Sequence, residues 1–64
     1  MLRVNLSDEI REARSSANLT QQELADRLGV SSRTVQGWEA GTVLPQPRHR
    51  RALLAFLDEQ KEPA

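Results

Sequence analysis

Between Thr20 and Gly41 the chain carries two helix starts and two helix stops in close succession, and this punctuation limits the fold more than any other feature. Thr20-Gln21-Gln22-Glu23 has the pattern of a capping box, in which the Thr20 hydroxyl and the Glu23 carboxylate each satisfy a free backbone N–H. Leu24, Ala25 and Leu28 give the following helix an apolar face, and Gly29 takes the positive φ that a helix end favours. The expected helix is about 21–28. Val30 then reads as a buried hinge, Ser31 as a second N-cap, and Val35 with Trp38 as the inward face of a helix over about 32–40 that stops near Gly41. Ala25 has only a methyl where the second helix crosses closely, and Val30 with Val35 fills the wedge, so a near-perpendicular crossing is expected.

The flanks supply two more helices. Ser7, followed by Asp8 and Glu9, places an acceptor and two negative charges at the positive end of a helix over about 7–17, whose inward positions are Ile10, Ala13, Arg14 and Ala17. Asn18 suits a left-handed stop. The two prolines of Thr42-Val43-Leu44-Pro45-Gln46-Pro47 make a loop, because each removes a backbone donor and restricts its predecessor. From Arg48 to about Gln60, Leu53, Leu54, Phe56 and Leu57 form an apolar stripe, with Pro47 suited to the first turn. Leu2, Val4 and Leu6 alternate in residues 1–6, which fits a strand or a loose arm packed on the core. At 64 residues, all of this is expected to form one compact all-α, four-helix domain over 1–64, of a size that buries about 60% of its unfolded surface.

Several function classes fall away. Without cysteine there is no disulfide, thiolate metal site or cysteine nucleophile, and His49 alone cannot furnish a histidine metal site, so no metal and no cofactor are expected. No apolar run approaches the ~20 residues of a membrane span, and the first residues do not resemble a secretory signal. A soluble, cytoplasmic protein with no membrane association and no small-molecule ligand is the expectation. Ser7, Ser31 and His49 have no organised acid–base partner in the sequence, so an enzyme is not expected. Nine basic and nine acidic residues cancel, but unevenly. Residues 1–26 and 52–64 each sum to −2, whereas Arg27, Arg33, Arg48, Arg50 and Arg51 against Glu39 give 27–51 a charge of +4.

Two short helices around a Gly-containing turn have the form of a helix-turn-helix, whose second helix lies in the DNA major groove with its N-terminal end at the base edges. Through Leu19-Thr20-Gln21-Gln22-Glu23-Leu24-Ala25, Gly29-Val30-Ser31 and Trp38-Glu39-Ala40-Gly41, the sequence closely resembles the Cro/repressor-type (XRE-like) helix-turn-helix family. The resemblance spans about residues 8–57 and implies a lambda-repressor-like domain. It further implies that Ser32, Arg33 and Gln36 point into the groove as base readers, while Gln21 touches phosphate at a positive helix end. Arg33 has the reach to span the O6 and N7 acceptors of a guanine, a contact that discriminates by about 1–3 kcal/mol. Ser31, first a helix cap, and Thr34 are further phosphate candidates, Thr34 offering alternatively its methyl to thymine.

In that family the loop before the last helix, and the start of that helix, lie along the phosphates, which nominates Arg48, Arg50 and Arg51. Neighbours on a helix sit ~100° apart, so Arg48 with one of the other two is expected to reach DNA. Arg14 and Glu39 match a pair the family uses as an internal ion pair. Trp38 is expected in the core. Gly37 departs from the family pattern, which often has a long polar side chain there: either one base goes unread or the bare backbone admits DNA more closely. The expected function is a sequence-specific, double-stranded DNA-binding regulator of the small phage-type repressor or Cro-like kind, acting at the nucleoid by occupying operator DNA. The alternative is a protein-interaction module on the same scaffold, such as an antitoxin or anti-regulator. A weak homodimer strengthened by DNA is expected, with the Leu2-Val4-Leu6 arm and Phe56 as candidate contacts.

Overall fold

The computed structural model describes residues 5–61. It contains α1 (Leu6–Ser16), α2 (Gln21–Leu28), α3 (Ser32–Ala40) and α4 (Pro47–Lys61), with no strand among the described residues. Helices α2 and α3 have the bounds that their caps lead one to expect. The Thr20 hydroxyl accepts from the Glu23 amide at 3.0 Å while the Glu23 carboxylate accepts from the Thr20 amide at 2.8 Å. Gly29 at φ 75° and Gly41 at φ 78° end the two helices in the left-handed region, where any other residue type except Asn is strained.

The N-cap of α1 is Asn5, not Ser7. The Asn5 Oδ1 accepts from the Asp8 amide at 3.0 Å and from the Ser7 hydroxyl at 2.8 Å, so Ser7 is drawn into the first turn. Leu6 is consequently a helical residue packed against the core rather than part of an arm; the Leu2 and Val4 of the expected arm lie outside the described residues. At the other end Asn18 takes φ 59°, one residue beyond the Ala17 C-cap. Helix α4 begins at Pro47, and the Gln46 carbonyl accepts from the amides of both His49 and Arg50 at 2.9 Å.

One core serves all four helices. Ile10, Leu24, Ala25, Val35 and Leu53 are fully buried, and Trp38, Phe56 and Leu57 nearly so. Helix α2 packs most extensively on α3, and α1 closes over both α3 and α4. Two expectations fail on α4. Leu54 is 46% exposed, because Leu53, Phe56 and Leu57 already fill the inward arc and the next residue falls ~100° outside it. Phe56 is 2% exposed and belongs to the core, so it is no dimer contact. It also carries a brace between α2 and α4: the Arg27 guanidinium sits 5.3 Å from the Phe56 ring centroid and binds Glu59 at 2.7 Å.

Gly37 has a use within the chain itself. Its carbonyl accepts from the Thr42 and Val43 amides at 3.1 and 3.3 Å, folding the loop back onto α3. A Cβ at this position would lie 2.9 Å from Val43 Cγ2 and 3.2 Å from Val43 Cβ. The missing side chain therefore makes room for Val43. Glycine inside a helix costs about 1 kcal/mol relative to alanine, so Gly37→Ala alone should fail to deliver that gain, whereas Gly37→Ala in a Val43→Gly background, which removes both contacting atoms, should deliver it. Urea denaturation of the four members of this cycle measures the difference; a single Gly37→Ala variant that is stabilised by the full amount contradicts the assignment.

Candidate nucleic-acid interface

The interface is assembled on a polar network at the junction of α1, α2 and α3. Arg14, in the last turn of α1, meets Glu39, in the last turn of α3, through Nε–Oε2 at 2.6 Å and Nη2–Oε1 at 3.1 Å. The two parallel bonds match the guanidinium fork to the carboxylate. Arg14 Nη1 also donates to the Leu19 carbonyl at 3.0 Å, and Gln21 Nε2, from the first residue of α2, donates to Glu39 Oε1 at 3.1 Å. The Arg14 and Glu39 side chains are 20% and 6% exposed, so the pair lies largely out of water. The resemblance singled out Arg14 and Glu39 but not the third member, Gln21, although a glutamine opening one helix near a carboxylate with two acceptor oxygens is a usable signal.

This network sets the ionisation of its members. Burial pushes the Glu39 carboxyl up, but the hydrogen bonds from Arg14 and then Gln21, with the charge of Arg14, outweigh it and hold it below its ordinary value. The hydrogen bond to Glu39 raises the Arg14 guanidinium, against the effect of burial.

The first turn of α3 carries the expected base readers. Arg33 and Gln36 are exposed and three residues apart, so they share a face; Ser32 is half-buried beside them. Ser31 caps α3 by accepting from the Thr34 amide at 3.1 Å, and its hydroxyl shares a 2.9 Å hydrogen bond with that of Thr34. One of the two hydroxyl hydrogens is thus used internally, and the other is not committed to that pair. Gln21 is half-buried and commits one of its two amide hydrogens to Glu39. At the start of α4, His49 turns inward with its ring 6.4 Å from that of Trp38, while Arg48, Arg50 and Arg51 are exposed.

The described arginines divide into two sets. Arg11 binds Asp8, Arg14 binds Glu39 and Arg27 binds Glu59. Among the described residues, Arg33, Arg48, Arg50 and Arg51 form no ion pair or hydrogen bond. Of the basic block expected from the sequence, Arg27 is therefore spent on the α2–α4 brace, and the unpaired positive charge is confined to α3 and the start of α4. No group of three His, Asp or Glu side chains among the described residues is placed to hold a metal ion.

Removing one partner of a largely buried pair costs about 3 kcal/mol, the low end of the usual range because Arg14 keeps some exposure. A domain of this length has a total stability of only about 3–10 kcal/mol. Glu39→Gln is therefore expected to unfold at markedly lower urea concentration than wild type at pH 7. Because the folded carboxyl is depressed, its contribution is full above the unfolded value near 4.3 and is lost as pH falls through the folded value. The gap between wild type and Glu39→Gln should narrow over that acid window, and a gap that is constant from pH 7 to pH 3 contradicts the reading.

Comparison with known proteins agrees with this architecture. A family model described as helix-turn-helix matches residues 10–61. The Type II methyltransferase M.SsoII of Shigella sonnei is 36% identical over 62 residues, covering 92% of this chain and 16% of that protein. The Type II methyltransferase M1.ScrFI of Lactococcus lactis subsp. cremoris is 41% identical over 54 residues, covering 80% of this chain and 14% of that protein. The chain thus spans only a small part of the length of these relatives. No solved structure matches it significantly. With the family match extending over all four helices, the chain belongs to the Cro/repressor-type (XRE) helix-turn-helix family, a membership that supports DNA binding.

Proposed function

We propose that the protein is a sequence-specific, double-stranded DNA-binding transcriptional regulator, of the small phage-type repressor or Cro-like kind, that acts by occupying operator DNA at the nucleoid. The observation that carries this reading is the division of the arginines: the unpaired ones lie on α3 and the start of α4 and nowhere else among the described residues. In this reading Arg33, Gln36 and Ser32 contact base edges in the major groove. Gln21, Ser31, Thr34, Arg48 and one of Arg50 and Arg51 contact phosphates and fix the register. The chain catalyses nothing itself, and two copies associate weakly, more tightly on DNA, so that a short recognition helix is used twice.

The two methyltransferase relatives favour a second reading, in which a module of this kind directs a methyltransferase to DNA. Both readings use the same face. Affinity for a duplex before and after addition of a methyltransferase catalytic domain in trans separates them: a regulator acting alone gains nothing.

Selection of duplexes from a randomised pool, followed by fluorescence-anisotropy titration at two salt concentrations, tests the proposal. A recurring motif is expected, with affinity falling as salt rises because phosphate contacts release counterions. Arg33→Ala should cost about 1–3 kcal/mol at one base position and relax the preference there, whereas Arg48→Ala should weaken binding to all sequences alike and reduce the salt slope by about 1. Binding that is absent or indifferent to salt would favour the protein-interaction alternative.

A further inference from the structure

Where α3 lacks a side chain, the loop that follows it supplies one. Gly37 lies four residues beyond Arg33, on the same face of the helix, and next to Gln36. A Cβ there would meet Val43 Cγ2 at 2.9 Å and Val43 Cβ at 3.2 Å, so the valine occupies the place where a side chain at position 37 would begin. The backbone holds it there. The Thr42 and Val43 amides donate to the Gly37 carbonyl, and Thr42 Oγ1 donates to the same oxygen at 3.4 Å. Val43 is nevertheless 49% exposed, an apolar surface fixed at the edge of the face that carries Arg33 and Gln36.

We propose that Val43 takes the place of the missing side chain as a base reader, packing on the 5-methyl group of a pyrimidine in the major groove. The inference rests on the DNA-binding reading above and adds to its recognition surface a residue from outside α3. The chemistry of the loop selects a methyl group over a phosphate. Residues 40–47 carry no charged side chain, and the Thr42 and Val43 amides, with the Thr42 hydroxyl, all turn onto one carbonyl. Val43 therefore has no donor left for a phosphate and presents only its apolar surface. On the base edges of the major groove the apolar group is the pyrimidine C5 methyl; the rest are hydrogen-bond donors and acceptors. Valine against one of those would strip its water and return no hydrogen bond, so the contact discriminates between bases. Its place in the site follows from the helix. Four residues of α3 advance about 6 Å and successive base pairs about 3.4 Å, which puts the methyl one to two base steps from the base that Arg33 reads. Thymine and 5-methylcytosine both carry this group at C5, and the test separates them.

The test uses the full chain and a duplex recovered from the randomised pool, with the base read by Arg33 marked by the position at which Arg33→Ala relaxes the preference. Within two base steps of it, each thymine is replaced by uracil and each cytosine by 5-methylcytosine, one at a time, and affinity is measured for wild type, Val43→Ala and Leu44→Ala. At one position the methylated base should bind wild type about fourfold more tightly than its unmethylated counterpart, the worth of one buried methyl. A loss on going to uracil assigns thymine, and a gain on methylating cytosine assigns 5-methylcytosine. In Val43→Ala the ratio between the two duplexes should fall close to one, whereas Leu44→Ala should keep it. Because each ratio compares two duplexes on one protein, a change in the variant's stability cancels. Salt-dependent, sequence-specific binding with no effect of any methyl group overturns the proposal and leaves the DNA reading standing. A methyl preference that survives in Val43→Ala, or that is lost in Leu44→Ala instead, overturns it equally. Failure of wild type to bind any duplex refutes the DNA reading and this inference with it.

Discussion

The carboxylate of Glu39 is the point on which the domain depends. Its oxygens receive Arg14 from α1 and Gln21 from α2 while its own backbone lies in the last turn of α3. The same guanidinium reaches the Leu19 carbonyl in the connection between α1 and α2. A chain this small has little apolar area with which to fix the relative placement of four helices. A bidentate charged bond in a nearly dry site supplies direction where packing alone supplies only contact. Its desolvation cost makes it a weak source of net stability but a strong penalty on any arrangement that separates the partners. Because Gln21 opens α2 and Glu39 lies in the last turn of α3, the network also fixes how the two helices of the helix-turn-helix stand to each other.

From that frame follows the distribution of charge. Arg11, Arg14 and Arg27 are each neutralised by a carboxylate, the last while covering the Phe56 ring. The formal charge of zero therefore conceals an uneven distribution: Asp8, Glu39 and Glu59 are taken up in ion pairs, while Arg33, Arg48, Arg50 and Arg51 form none among the described residues. His49 is half-buried with its ring near that of Trp38, while its neighbours Arg48 and Arg50 face water. The anchored loop between α3 and α4 adds an uncharged apolar surface next to the charged one.

The parts of the fold that carry their own local signal were legible in the sequence. Thr20 with Glu23, Ser31, Gly29 and Gly41 each act within one helical turn, and α2 and α3 fall where those residues place them. Asn5 and Ser7 are competing acceptors two residues apart, and only the packing of Leu6 on the core decides between them. Four large apolar residues within Leu53–Leu57 exceed what one helix face buries, so the sequence alone does not say that Leu54 is the one left outside. The Arg14–Glu39 and Arg27–Glu59 pairs join residues 25 and 32 positions apart, which no local pattern reveals. The first was legible through family resemblance; the second was not. Gly37 was visible as a departure, but its meaning depends on where Val43 returns to α3.

On the proposed reading, the junction of α1, α2 and α3 presents α3 and the first turns of α4 to duplex DNA. Titrating the nitrogen-15-labelled protein with a selected duplex tests it most directly, because every backbone amide reports separately. Shifts are expected to concentrate at Gln21, at Ser31–Gln36 and at Arg48–Arg51, with the amides of α1 around Arg11 and of α4 around Glu59 nearly still. Shifts centred on α1 or on the Arg27–Glu59 edge, with Arg33 and Arg48 unmoved, would contradict it.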